Sequence, residues 1–190
     1  MSIKREFALT CILNTMIVIC MSFGFCVDCV GASQEDEFDP HGTTFRYFFE
    51  DSDMDFHFGN LILGSAVNHG AEIGEAFYAA SQIEDGDAAS WQEEWYNLAS
   101  RVEARGLASL AAGHTVSARD QLQRAAYYYR FSILSILPDD PRMEERALKC
   151  RSLVKQAGAL FDPELEYIEI PFEGTVLPGY FRKAKPGNEP

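Results

Sequence analysis

Three groups of residues in this 190-residue chain have types and spacings that could do chemistry. Asp51, Asp53 and Asp55 alternate as the first ligands of a calcium loop would. The sixth position of such a loop needs Gly for its sharp turn and here is Phe56; the twelfth needs a bidentate Glu and here is Ile62. Calcium is therefore rejected at this place. Cys26-x-x-Cys29 spells a dithiol redox motif, but no βαβ pattern surrounds it, so the spacing carries no redox function. The third group is Tyr127, Tyr128 and Tyr129 followed by Arg130, whose phenols and cation suit packing or binding rather than bond cleavage.

The tyrosines must be positioned by a helix. Leu122, Ala125, Ala126, Tyr129, Ile133, Ile136 and Leu137 recur at three- and four-residue steps, which predicts a helix over 117–137. Ser117 and Asp120 suit its first turn, and Pro138 sets its far end. The first half has an ordinary wet face of Arg119, Asp120, Gln121, Gln123 and Arg124. From Tyr127 on, the three tyrosines point in three directions. Burying one large apolar side chain contributes about 1.5–3 kcal/mol, and one neighbouring helix cannot shelter the whole girdle. A second covering surface is expected. The competing reading is a central helix inside a bundle, with hydroxyls at its edge.

The rest of the body supplies the scaffold. Phe45 to Phe49 is aromatic and opens the folded part; Asp55 is placed as the cap of a helix from Phe56 to about His69. A second helix is read over 73–83, ending at Asp85-Gly86-Asp87. A long one follows over 91–112, with Ser90 and Glu93 as a capping box and Trp91, Trp95, Leu98, Val102 and Leu110 as its buried stripe. After the tyrosine helix, Pro141 starts a last helix. Met143, Ala147, Leu148, Cys150, Val154 and Leu160 form its inner side, and it ends near Phe161. Short turns join the three long helices into an antiparallel array resembling tetratricopeptide-type hairpins, although no self-similarity near 34 residues appears.

Composition bounds the rest. A hydrophobic content of 47% and an aromatic content of 13% suit a packed globular core. A net charge of −13 argues against nucleic acid or anionic membrane as a partner. Residues 1–32 have the layout of a signal peptide or signal anchor: Lys4 and Arg5, an uncharged run from Phe7 to Val27, then Val30-Gly31-Ala32 before acidic residues. The chain is thus expected to be exported or membrane-anchored, and cytoplasmic if that start is spurious. Cys11, Cys20, Cys26 and Cys29 all fall there, which leaves Cys150 without an internal disulfide partner. Residues 33–44 read as a disordered lead-in.

The C-terminal end changes character. Leu165 to Pro171 and Val176 to Arg182 read as two strands joined across Phe172-Glu173-Gly174-Thr175. A hairpin alone is marginal in water, and nothing else in the chain reads as strand. An uncovered tyrosine girdle and an orphan hairpin together suggest that the covering polypeptide lies beyond residue 190.

Several stretches, taken in order, resemble the N-terminal part of a two-domain branch of the α/β-hydrolase superfamily. They are Phe-His-Phe-Gly at 56–59, Gly-Ala-Glu-Ile-Gly-Glu at 70–75, Asp-Gly-Asp followed by Ser-Trp at 85–91, Gly-His-Thr-Val-Ser-Ala-Arg at 113–119, Ala-Tyr-Tyr-Tyr-Arg at 126–130 and Ile-Pro-Phe-Glu-Gly-Thr-Val-Leu-Pro-Gly-Tyr at 170–180. The branch includes 2,6-dihydroxypseudooxynicotine hydrolase, FrsA-like esterases and fungal polyketide-shortening hydrolases. The resemblance implies a mostly α fold: a helical cap domain over 45–163, then over 164–190 a β-hairpin that begins an α/β-hydrolase sheet. It implies hydrolysis of a C–C or ester bond by a Ser, an acid and a His, with a small-molecule substrate and no cofactor or metal. The chain has no Gly-x-Ser-x-Gly, and His41, His57, His69 and His114 lie in the cap, so no catalytic residue is carried over. What the resemblance implies here is cap-side pocket lining: Tyr128, Tyr129 and Arg130, with Phe56. The expected partner is the missing C-terminal hydrolase domain, a homodimer remaining open, and the chain alone is expected to be inactive. The alternative is an exported tetratricopeptide-like interaction module whose tyrosine girdle grips a peptide.

Overall fold

Carboxylates organise the entry to the folded region. Asp51 caps α1 (Ser52–His57) by accepting from the Met54 amide. Asp55 then faces back, almost fully buried, and accepts from the amides of Tyr47, Phe48 and Phe49 at 2.7–3.2 Å. The cap is thus Asp51 and not the expected Asp55, which instead pins the aromatic lead strip. These contacts come from a computed structural model that describes residues 45–185 and 187; the export-type segment and lead-in expected over 1–44 lie outside them.

The first expected helix is broken into three turns of different pitch. α1 passes into a π-helical stretch (Phe58–Leu63) and, after Gly64 and Ser65, a 3-10 turn (Ala66–Asn68). The π stretch buries Phe58 and Ile62. Phe58 joins a chain of ring contacts, most of them edge-to-face, through Phe49, Phe77, Trp91 and Trp95 to Phe131. Such pairs add about 0.5–1.5 kcal/mol each beyond burial.

α2 (Ile73–Ala80) is shorter than expected and is capped by Glu72. α3 (Ala88–Ala111) is capped by Asp87 rather than Ser90, whose hydroxyl instead accepts from the Glu84 amide. Trp91, Trp95, Leu98 and Val102 are buried as expected, whereas Leu110, near the helix end, is exposed. α4 (Thr115–Phe131) stops well short of Pro138. Ser132 folds its hydroxyl onto the Tyr129 carbonyl, and Arg146 takes the Ser132 carbonyl, so the chain turns there and Leu137 lies exposed. α5 (Pro141–Gly158) starts on the Asp140 cap with Pro141 in its first turn, as the sequence implies. Its inward line is Arg146, Leu153 and Ala157, with Cys150 half-buried; Ala147 and Leu148 face solvent. The inward face is set 100° per residue from Arg146, and positions 147 and 148 fall off it.

The helices α3, α4 and α5 run antiparallel. Ser109 meets Gln121, Ser100 meets Tyr129 and the Trp91 indole donates to the Phe131 carbonyl, so one number falls as the other rises. Strands β1 (Leu165–Phe172) and β2 (Thr175–Arg182) form an antiparallel hairpin, as expected. Its two-residue turn has positive φ at Glu173 and Gly174, a I′-type geometry. With that turn, Phe172 and Thr175 form a hydrogen-bonded pair and every second pair does not. Pro171, opposite Val176, and Pro178, opposite Glu169, both fall in the non-bonded pairs, so neither costs the ladder a bond.

Candidate functional site

Consecutive tyrosines on α4 meet three different surroundings. The Tyr128 ring packs against Trp95 and Phe131 with no exposure. Its hydroxyl accepts from the Glu72 amide and donates to Glu75, both at 2.9 Å. Glu75, largely enclosed, also pairs with Arg105 of α3 and Arg124 of α4. This one carboxylate therefore ties α2, α3 and α4 together. Burial pushes the Tyr128 phenol well above its ordinary range; the Glu72 amide opposes this and Glu75 adds to it.

Tyr129 faces the other way, between α3 and α5. Its hydroxyl bonds Ser100 at 3.0 Å and Glu103 at 2.9 Å, and Lys149 of α5 pairs with the same Glu103. Burial again raises the phenol, helped by Glu103 and opposed by Ser100. Nearby, buried Arg146 stacks on Tyr96 and donates to the carbonyls of Gln92 and Ser132. The helical domain encloses Tyr128 and Tyr129 by itself. The expectation that the whole girdle awaits a second surface fails for these two, because Glu75 and Glu103 satisfy their hydroxyls from within.

Tyr127 is the exception. It is half-buried and lies across the backbone of Gly70, where a Cβ would fall 2.8 Å from its ring. Beyond it opens a groove of about 280 Å³. α4 lines it with Gln123, Tyr127 and Arg130, and α5 with Cys150, Val154 and Ala157. Both triplets are spaced i, i+4, i+7, which puts each on a single helix face. Phe161 and Leu165 close one end.

The hairpin is anchored beside this groove at its base only. Gly158 lets β1 approach: a Cβ there would sit 3.0 Å from the Leu165 carbonyl oxygen. Arg182 stacks on Phe161 and donates to the carbonyls of Asp162 and Pro163, while Arg119 stacks on the same ring. Lys155 sits 3.3 Å over Tyr167. No residue of either strand is buried, and Ile170, Phe172, Val176, Leu177 and Phe181 are each about half exposed.

Of the four residues expected to line a pocket, the structure places Arg130 in this groove, Tyr128 in the core, and Tyr129 between α3 and α5. Phe56 lies on α1, its ring against His57. Tyr127, Gln123, Cys150 and Val154 join Arg130 instead, and their two matched triplets were the available signal. Among the described residues no cluster of His, Cys, Asp or Glu could hold a metal, and no helix is long and apolar enough to cross a membrane.

The chain is 34% identical over 136 residues to "Hydrolase ORFZ" of Pyricularia oryzae, covering 69% of this chain and 32% of that protein. It is 32% identical over 121 residues to "20-hydroxy-prefusarin hydrolase FUS2" of Gibberella moniliformis, covering 62% of this chain and 29% of the relative. "Alpha/beta hydrolase gkaG" of Penicillium citrinum is 34% identical over 120 residues, 63% of this chain and 28% of its own length. The chain thus spans about a third of the length of these relatives. Among solved structures, 2,6-dihydroxy-pseudo-oxynicotine hydrolase superposes with a TM-score of 0.54 at 24% identity, over 67% of this chain and 35% of the other, a likeness of fold. No family model matches.

Proposed function

We propose that this chain, similar to fungal α/β hydrolases over about a third of their length, is the N-terminal region of such a hydrolase, roofing its active site and starting its sheet. One observation carries the reading. The groove of α4 and α5 and the bare faces of the hairpin lie next to each other, so a single body docked on β1 and β2 also closes the groove. That arrangement would shut water out of a small-molecule site and let Tyr127 and Arg130 orient what lies in it.

The bond-breaking groups are not in these residues. Without a Gly-x-Ser-x-Gly turn the chain offers no elbow serine, and Cys150, the thiol beside the groove, is pushed up by burial and so is a poor nucleophile. In this reading a hydrolase sheet supplies serine, acid and histidine, and the reaction is hydrolysis of a C–C or ester bond. This chain supplies enclosure and orientation.

The test is complementation. The purified chain alone should give no turnover of a p-nitrophenyl ester. Adding it to the C-terminal two thirds of the Pyricularia hydrolase, expressed separately, should raise turnover of that piece. Hydrolysis by the chain alone, or a partner piece indifferent to it, would overturn the proposal.

A further inference from the structure

The groove carries an asymmetry of charge that narrows what it can hold. The whole chain is strongly acidic, at −13, yet no carboxylate lines this groove. Its one charged lining residue is Arg130. Among the described residues the Arg130 side chain has no ion-pair or hydrogen-bond partner, in contrast to Arg105 of α3 and Arg119 and Arg124 of α4, each of which holds a carboxylate. Ala126, Val154, Ala157 and Leu165 make the remaining wall largely apolar. The Arg130 charge opposes the rise that burial imposes on the Cys150 thiol, which lines the same groove.

We propose that the groove selects a small apolar molecule ending in a carboxylate, with the anion at Arg130 and the hydrocarbon along Val154, Ala157 and Leu165. This rests on the reading of the chain as the roof of a small-molecule site and adds the class of ligand. A charge-assisted bond from a planar guanidinium is the strong kind of polar contact. Arg130 is itself exposed, so solvent screens part of that gain. A preference of about fivefold to tenfold for the acid over the matching alcohol is the expected size. A volume of about 280 Å³ sits at the small end of ligand sites, which fits a short chain or single ring rather than a polycycle.

Cys150 gives a direct readout, because it lines the same groove. The full chain is treated with N-ethylmaleimide at fixed pH, and labelling of the Cys150 peptide is followed by mass spectrometry with increasing octanoate or octanol. Octanoate should slow labelling at concentrations about fivefold to tenfold below those of octanol. Arg130→Gln should bring the two to the same concentration, and Arg130→Lys should keep part of the difference. Equal protection by acid and alcohol in the unaltered chain, or no protection by either, would overturn the inference without any reliance on a variant. The outcome is separable from the roof proposal. A chain that complements the hydrolase piece but shows no acid preference loses only the ligand class, and one that prefers the acid but does not complement loses only the roof.

Discussion

Tyr128 and Tyr127 are neighbours in sequence and opposites in surroundings. Tyr128 points to the closed side of α4, where α2 and α3 surround its ring and the Glu72 amide and Glu75 carboxylate take its hydroxyl. Tyr127 points to the open side, where α5 stands far enough off to leave a groove and the hairpin, half-buried mainly at the start of β1, is otherwise largely exposed. The difference teaches that aromatic content alone does not show which surface awaits a partner. A phenol with a carboxylate at hydrogen-bond distance is complete; an aromatic wall without one is available.

Substitutions on the two sides should therefore separate. Tyr128→Ala should cost about 3–5 kcal/mol, a large share of the roughly 5–15 kcal/mol of a typical domain. Thermal unfolding followed by circular dichroism would show it, and a loss no larger than that of Tyr127→Ala would erase the contrast. Arg146→Met, also on the closed side, strands the carbonyls of Gln92 and Ser132 and should cost about 2–3 kcal/mol in a urea titration.

Tyr128→Phe keeps the ring and should cost about 1–2 kcal/mol, by leaving the Glu72 amide and Glu75 short of a partner. It also sharpens the comparison through pH. Both buried phenols have raised folded pKa values, so their contribution is fully present below the ordinary tyrosine value near 10 and is lost as pH rises beyond it. The alkaline limb of the stability curve should be less steep in Tyr128→Phe than in the unaltered chain. At the acid end the sign reverses. Hydrogen bonds from Arg142 hold Asp140 down to about 2, and the amides of Glu75 and Gly74 hold Glu72 below its usual value. Their contributions are full above the ordinary carboxylate range near 4 and fade as pH falls through the folded values. Smallest of all, Arg130→Gln and Tyr127→Phe on the open side should move stability by no more than about 0.5 kcal/mol.

Much of this was legible in the chain. Proline and glycine marked the hairpin and the start of α5, and the Trp91–Trp95–Leu98–Val102 stripe showed the inner face of α3. The homology to α/β hydrolases could be read from the ordered motifs between positions 56 and 180. The helix caps were harder, since Asp87 and Ser90 both suit a first turn and only the fold shows that Ser90 serves the Glu84 amide instead. The end of α4 was hidden because a buried arginine from the next helix, Arg146, takes its terminal carbonyl. The enclosure of Tyr128 was hidden for the same reason: Glu75 lies 53 positions away, and no local pattern announces a carboxylate that will meet a phenol at that separation. The groove, by contrast, left its trace as two i, i+4, i+7 triplets on adjoining helices.

Amide hydrogen exchange on the full chain tests the division into a closed and an open side most directly. Amides at 125–131 in α4 should exchange slowly, near the limit set by global unfolding, whereas those of β1 and β2 should exchange many times faster because the hairpin is held only at its base. Equal protection of the hairpin and α4 in the isolated chain would mean that the sheet edge is already complete, and would contradict the account.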